Sequence, residues 1–374
     1  MIRYSRYRIC LLCLSFIFSV PLISQLQTEW RGKIRYQDNV EIVLNLKSPL
    51  NKRAGRVLRL EERLRITDTG GEFYFKYPHQ LEMTSDGSFF VADIGELLKF
   101  KKDGRFVNNL IKKGQGPGEF EQFGRFSLQG KGEIYAFDQG QMKVVRLDLD
   151  GQLIEETKLP EAFGSCEGMT DHWLVFYKFF RTPPKDQTFI LSDRKNVLTW
   201  VPRQGEAKQR AHTFLSKIFG GPGFAMTWDE FRSVLDRERE FIFFSCTREY
   251  QVELLDLNRG TIVRSFKRDY PRVKYTMKER DKEIYKKYHP PEKKYESDIL
   301  NLFISDGKLW VQTSTEDKKR GFLIDVFNAE GEYLDNFYLP VKGSILALQG
   351  DSIFIIEKDE NDLVQIAHYR LIGL

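Results

Sequence analysis

Between Gln80 and Ile111 the chain writes a short antiparallel unit that starts over immediately downstream. Gln80-Leu-Glu-Met83 reads as a strand and Ser85-Asp-Gly87 as a tight turn. Phe89-Phe-Val-Ala92 is a hydrophobic strand closed by Asp93-Ile-Gly-Glu96. Leu97-Leu-Lys-Phe100 is a third, and Lys102-Asp-Gly104 turns into Phe106-Val-Asn-Asn-Leu-Ile111. Each turn carries a glycine, the residue that takes positive φ without steric cost. A four-stranded meander of about 35 residues cannot bury its faces alone and must stack against copies of itself, which restricts the chain to a repeat-built all-β fold.

The copies follow in order. The second runs through Phe126–Leu128, Glu133–Phe137, Val144–Leu147 and Leu153–Leu159. The third is more eroded, with strands expected at Cys166–Met169, Trp173–Tyr177, Thr188–Leu191 and Val197–Val201. A long entry from Phe214 to Asp236 leads into the fourth, at Glu240–Phe244, Tyr250–Leu255 and Thr261–Phe266. The fifth spans Ile299 to Leu339, and the last supplies only three strands, at Ile345–Leu348, Ile353–Ile356 and Val364–Leu371. The expectation is a six-bladed β-propeller of four-stranded antiparallel blades. An open edge strand invites aberrant pairing, so the spare strand Val57–Ile66 is expected to complete the last blade and close the ring. The charged stretch 274–297, helix-like from Met277 to Tyr288 and stopped by His289-Pro-Pro291, interrupts the repeat as a helical excursion over one face.

The N-terminus sets the compartment. Arg3, Arg6 and Arg8 precede an apolar run, Ile9 to Ile23, that is short for a membrane span of roughly 20 residues. Residues 1–24 read as a secretory signal, 25–56 as a lead-in and 57–374 as the propeller. An uncleaved N-terminal anchor is the alternative. Loss of the three arginines lowers the formal net charge from +5 to +2, which is no nucleic-acid footprint. Cys10 and Cys13 leave with the signal. Cys166 and Cys246 remain, too few for a disulfide framework and read as separate buried thiols. A monomer with no membrane span in the mature chain is expected.

Lys113-Gly-Gln-Gly-Pro-Gly-Glu-Phe120 links the first copy to the second. It has neither the Gly-Lys-Ser/Thr of a P-loop nor the G-x-G-x-x-G spacing, and it enters a strand. Gly114, Gly116, Pro117, Gly118, Glu119 and Phe120 are therefore read as a structural crossing. Together with Asp86-Gly87, Phe90-Val-Ala-Asp93 and Phe100-Lys-Lys-Asp-Gly-Arg-Phe106, this block resembles the exported bacterial six-bladed β-propellers with NHL-like repeats. Trp30-Arg-Gly-Lys-Ile34 and Asp306-Gly-Lys-Leu-Trp-Val311 agree with that resemblance. Phe123 stands where those proteins usually carry proline, and Leu46 where an Asn-Pro pair is common. The resemblance implies a fold and export, and no activity at named residues.

Candidate chemistry is sparse. Glu82, Glu167, Asp171 and Asp298 lie near innermost strands and are the acids that would line a central channel and hold Ca²⁺. His79 and His172 are the histidines nearest to it. The five histidines show no spacing of a zinc site, and there is no Gly-x-Ser-x-Gly elbow. Tyr177 to Phe180 could form a platform for a sugar or peptide, and the basic excursion 274–294 could recruit an acidic partner. The sequence therefore points to an exported, non-catalytic propeller binding an envelope or extracellular protein, peptide or glycan through one face of the ring, without a cofactor. The alternative is a Ca²⁺-dependent hydrolase or lyase of lactonase type with its site in the channel.

Overall fold

The computed structural model describes residues 32–67, 70–130, 132–159, 163–181, 188–203 and 208–374. The expected signal, residues 1–24, lies outside them. Four strands come first: β1 (Lys33–Gln37), β2 (Val40–Asn45), β3 (Arg56–Val57) and β4 (Arg59–Ile66). Six sheets then follow in chain order.

The first sheet is β5 (Gln80–Met83), β6 (Phe89–Asp93), β7 (Glu96–Phe100) and β8 (Phe106–Asn109). The second is β9 (Phe123–Gln129), β10 (Glu133–Asp138), β11 (Lys143–Asp148) and β12 (Leu153–Lys158). The third holds β13 (Ser165–Met169), β14 (Trp173–Arg181), β15 (Ile190–Pro202), β16 (Arg210–Gly221) and β17 (Phe224–Thr227). The fourth is β18 (Arg232–Asp236), β19 (Phe241–Ser245), β20 (Gln251–Asp256) and β21 (Thr261–Arg268). Helix α1 (Glu279–Tyr288) precedes the fifth, β22 (Ile299–Ser305), β23 (Lys308–Asp317), β24 (Gly321–Phe327) and β25 (Tyr333–Leu339). The sixth is β26 (Ser344–Gln349), β27 (Ser352–Lys358) and β28 (Val364–Ile372).

The first strand of each sheet touches the first strand of the sheets on either side, from β5 through β9, β13, β18, β22 and β26 back to β5. The N-terminal strands dock on sheets that are remote in sequence. β4 runs antiparallel to β28 with Ile66 opposite Ile366. β3 lies parallel to β25, and β2 lies parallel to β21 with β1 outside it. Apolar faces meet between sheets. Phe90, Leu97, Phe126 and Ile134 are all buried in one cluster of the first two sheets, each such side chain contributing about 1.5–3 kcal/mol.

The third sheet departs from the expected pattern. Thr188–Leu191 and Val197–Val201 are not two strands, because β15 runs unbroken from Ile190 to Pro202. The polar run between them, Ser192-Asp-Arg-Lys-Asn196, looks like a turn in sequence. In the sheet, however, Arg194 and Asn196 are buried and both donate to the Ser216 hydroxyl, at 3.1 and 3.0 Å. Tyr177 in turn donates to the Asn196 side-chain oxygen Oδ1 at 2.8 Å. Satisfied polar groups of this kind carry a strand through a buried position at little cost. Phe214 to Thr227, expected as entry to the fourth copy, belongs instead to β16 and β17 of the third sheet. Helix α1 packs against this sheet: the Tyr288 ring stacks on Phe224 at 4.0 Å and reaches Phe189 at 4.9 Å.

One device recurs. Asp93 ends β6 and accepts the Lys76 and Tyr77 backbone N–H groups, each at 2.6 Å. Asp138 ends β10 and accepts those of Glu121 and Gln122, at 2.9 and 3.0 Å, with Gly140 at 2.9 Å. Each carboxylate thus ties down the segment that enters its sheet. Burial alone would raise the Asp138 pKa, but the backbone donors outweigh it and hold the carboxyl below its ordinary value. A depressed folded pKa means stability that is present above the unfolded value, about 3.9, and lost as pH falls through the folded one. Asp138→Asn is therefore expected to flatten the acid limb of a stability-versus-pH curve below about pH 4, read by urea unfolding. An unchanged acid limb would show that Asp138 is not among the groups that set it.

Candidate functional site

Short first strands lined by alternating side chains leave space between them. A cavity of about 820 Å³ opens along β5, β18, β22 and β26, with Gln80, Glu82, Arg125, Ser233, Arg237 and Asn301 as its principal polar groups. Leu128, Leu302, Ile304, Leu346 and Leu348 supply apolar wall. A second cavity of about 510 Å³ adjoins it and shares Arg125, Ser233 and Asn301. Its wall is built by the long strands of the third sheet, which bring Tyr177, Phe179 and Arg194, and by Phe231 and Arg232 at the start of the fourth. Tyr177 and Phe231 stack at 4.3 Å with nearly parallel planes.

The acids of the cavity are engaged. Glu82, on the first sheet, receives both guanidinium nitrogens of Arg237, which follows β18 of the fourth, at 2.5 and 2.8 Å. The pair joins sheets three places apart in either direction and so crosses the cavity. Burial works against the Arg237 charge, but the Glu82 carboxylate more than offsets it and raises the Arg237 pKa above its ordinary value. Glu82 also accepts the Leu128 backbone N–H at 2.9 Å and the Gln80 amide at 2.7 Å. Glu167 accepts the Ser233 hydroxyl at 2.8 Å. Arg232 pairs with Glu230, and buried Arg194 lies 5.1 Å from the Phe179 ring centre while bonding Ser216 and the Asp229 carbonyl.

Arg125 differs from these. It lines both cavities, and no hydrogen bond or ion pair reaches its guanidinium among the described residues. It leaves β9 with a half-buried side chain.

The other residues singled out from sequence are dispersed. His79 borders the large cavity, where its Nε2 is 3.0 Å from the Gly124 carbonyl. Asp171 and His172 sit exposed in the β13–β14 turn, away from both cavities. His172 Nδ1 is 2.9 Å from Glu240. Asp298 is buried beside Arg272, 3.0 Å away, in a contact outside the cavity walls. The structure thus brings Glu82, Glu167 and His79 to the cavities and leaves Asp171, His172 and Asp298 elsewhere. No group of three metal-ligating side chains lies together among the described residues. Cys166 is buried, Cys246 half-buried and both are free. Burial pushes each thiol up to about 12.

The glycine-rich link is knotted on itself. The Glu119 carboxylate accepts the Gly116 N–H at 2.9 Å and occupies the place a Cβ on Gly114 would need. Buried Lys143 bonds the Gly116 carbonyl at 3.3 Å and Glu156 at 3.0 Å.

Arg125, Ser233 and Asn301 were not singled out from sequence. Each lies on a first strand, β9, β18 or β22, that carries other polar residues as well, so nothing in the strand's own pattern marks it out.

Residues 36–207 match a family model described as a 6-bladed beta-propeller, DUF5128. The fold is a β-propeller. Among solved structures, a member of the duf4221 family from Bacteroides vulgatus matches over 85% of this chain and 99% of its own, at 9% identity and a TM-score of 0.51. A Bacteroides fragilis protein matches over 88% and 99%, at 16% identity and 0.48. A virginiamycin B lyase from Staphylococcus aureus matches over 84% and 100%, at 11% identity and 0.42. Likeness at these identities speaks for the fold alone. No curated protein matches the sequence. No helix of the described residues is long and apolar enough to cross a membrane.

Proposed function

We propose that this chain is an exported six-bladed β-propeller, closed by β4 as the outer strand of the sixth blade, that binds a peptide or glycan in the adjoining cavities without catalysing a reaction on it. The observation that carries the reading is the junction of the two cavities at Arg125, Ser233 and Asn301. There a large polar concavity stands open while its acids are already committed to Arg237 and Ser233. Concave sites with a few convergent polar groups are the usual places for ligands. A metal-centred reaction would need carboxylates that converge on one point and are free to coordinate. Glu82 and Glu167 face separate partners instead. Export rests on the basic and apolar character of residues 1–24.

The test is a thermal-shift screen of the full chain against peptide and glycan libraries, run with Ca²⁺, Zn²⁺ and EDTA in parallel. A peptide or glycan is expected to raise the melting temperature, and EDTA to leave it unmoved. Asn301→Trp, which fills the junction, is expected to weaken binding more than about tenfold, or ~1.4 kcal/mol. Stoichiometric bound Ca²⁺ together with turnover of a lactone would overturn the reading in favour of an enzyme.

A further inference from the structure

The geometry points to an acidic oligosaccharide as the ligand of this site, with one uronate carboxylate held by Arg125. The inference rests on the binding reading above and names the chemistry that reading leaves open.

Charge sets the number of anionic groups. Around the smaller cavity stand three guanidinium groups, Arg125, Arg194 and Arg232, and two carboxylates, Glu167 and Glu230. Glu230 neutralises Arg232. Arg194 is turned into the sheet by Ser216 and the Asp229 carbonyl. Of these three, and among the described residues, Arg125 alone has its whole planar fork of donors uncommitted. Such a fork matches a carboxylate with two parallel hydrogen bonds. One free fork with a net excess of one positive charge suits a single carboxylate per site. A peptide rich in Asp and Glu would bring further carboxylates against Glu167 and Glu230.

The surroundings suit hydroxyl groups. Glu167 has one oxygen engaged by Ser233 at 2.8 Å and a second available as an acceptor. The Asn301 side-chain oxygen accepts its neighbour's N–H at 3.0 Å, so its amide N–H₂ remains a donor. Thr227 adds a hydroxyl that both gives and accepts. Donors and acceptors therefore share the lining with Arg125, the mixture that the hydroxyl groups of a sugar require. Phe179, half exposed on the rim, offers an aromatic face to the apolar side of such a ring.

The experiment is calorimetric titration of the full chain with oligomers of galacturonate, glucuronate and mannuronate. Each is paired with its methyl ester, which keeps every hydroxyl and removes the charge. Poly-glutamate peptide is the competing class. At least one uronate oligomer is expected to bind at least about tenfold more tightly than its ester, the scale of a charge-assisted bidentate contact. Arg125→Gln is expected to abolish that preference, so that acid and ester bind the variant alike. Among the described residues no hydrogen bond or ion pair holds the Arg125 guanidinium, and an unchanged melting temperature of the variant is the check that the fold survives the substitution. Equal binding of acid and ester, a preference that survives Arg125→Gln, or binding of poly-glutamate but no uronate would each overturn the inference. So would silence of every uronate probe. Loss of neutral-glycan binding in Asn301→Trp would still uphold the site itself, so the two readings fail separately.

Discussion

Replacing Asp325 by alanine is expected to lower the unfolding free energy by about 3–5 kcal/mol, because it leaves a buried guanidinium without its counter-charge. Asp325 is wholly buried and pairs with Arg268 at 2.8 Å, whose side chain is only 3% exposed. Its two oxygens also accept the hydroxyls of Tyr250 and Tyr333, each at 2.7 Å. Asn336 donates to the Tyr333 hydroxyl at 2.6 Å. Burial raises the Asp325 pKa, while the Arg268 charge and these donors act to lower it. The knot joins the fourth and fifth sheets, and Arg268 lies within 5.4 Å of three tyrosine ring centres. With Asp325 gone, Arg268 keeps those ring faces and its bond to the Lys47 carbonyl, but no carboxylate balances it.

The double variant Asp325→Ala, Arg268→Met separates charge from packing. Removing both members of a buried pair is often far less costly than removing one, so the double variant should recover part of the loss. Urea unfolding of the three proteins measures this directly. A single variant within about 1 kcal/mol of the parent would mean that water reaches Arg268 and the knot is not dry.

The local half of this fold was legible. β6, β7, β10 and β11 follow from hydrophobic runs bounded by Asp-Gly or Asp-x-Gly turns, because adjacent antiparallel strands need only a tight turn to find each other. The remote half was not. β2 pairs in parallel with β21, more than 200 residues away, and nothing in Val40–Asn45 names that partner. β15 reads as two strands in sequence because Arg194 and Asn196 are polar, and their buried bonds to Ser216 exist only once β16 lies beside them. The site follows the same division. Glu82 and Glu167 were found because acids near first strands are a general expectation. Arg125 carries no mark in sequence, because its interest lies in a guanidinium without a hydrogen bond or ion pair among the described residues, and that is a property of the assembled sheets. Asp298 looked equivalent to Glu82 in sequence, yet it points to Arg272 because it precedes β22 instead of lying within a cavity-lining strand.

The site at the junction of the two cavities depends on the proposed closure of the ring by β4, and one cross-link reports on it. Arg65 lies opposite Ala367 in the β4–β28 register. Directly opposed antiparallel residues have Cα atoms about 4.5–5.5 Å apart, inside the disulfide range of about 4.4–6.8 Å. The two positions are otherwise separated by nearly the whole chain, so the loop they would close is very long. The variant Arg65→Cys, Ala367→Cys should oxidise to an intramolecular disulfide. Its oxidised form should then be about 2–5 kcal/mol more stable than its own reduced form, a comparison that cancels the lost Arg65 contacts. Neither single-cysteine variant should cross-link, since Cys166 is buried and Cys246 half-buried elsewhere. The measurement is the free-thiol count of the folded double variant after mild oxidation, followed by unfolding with and without reductant. Loss of two thiols with a stabilised fold is the predicted result. Two thiols that stay free in the folded protein would show that β4 does not close the ring, and would remove the frame on which the cavity at Arg125 depends.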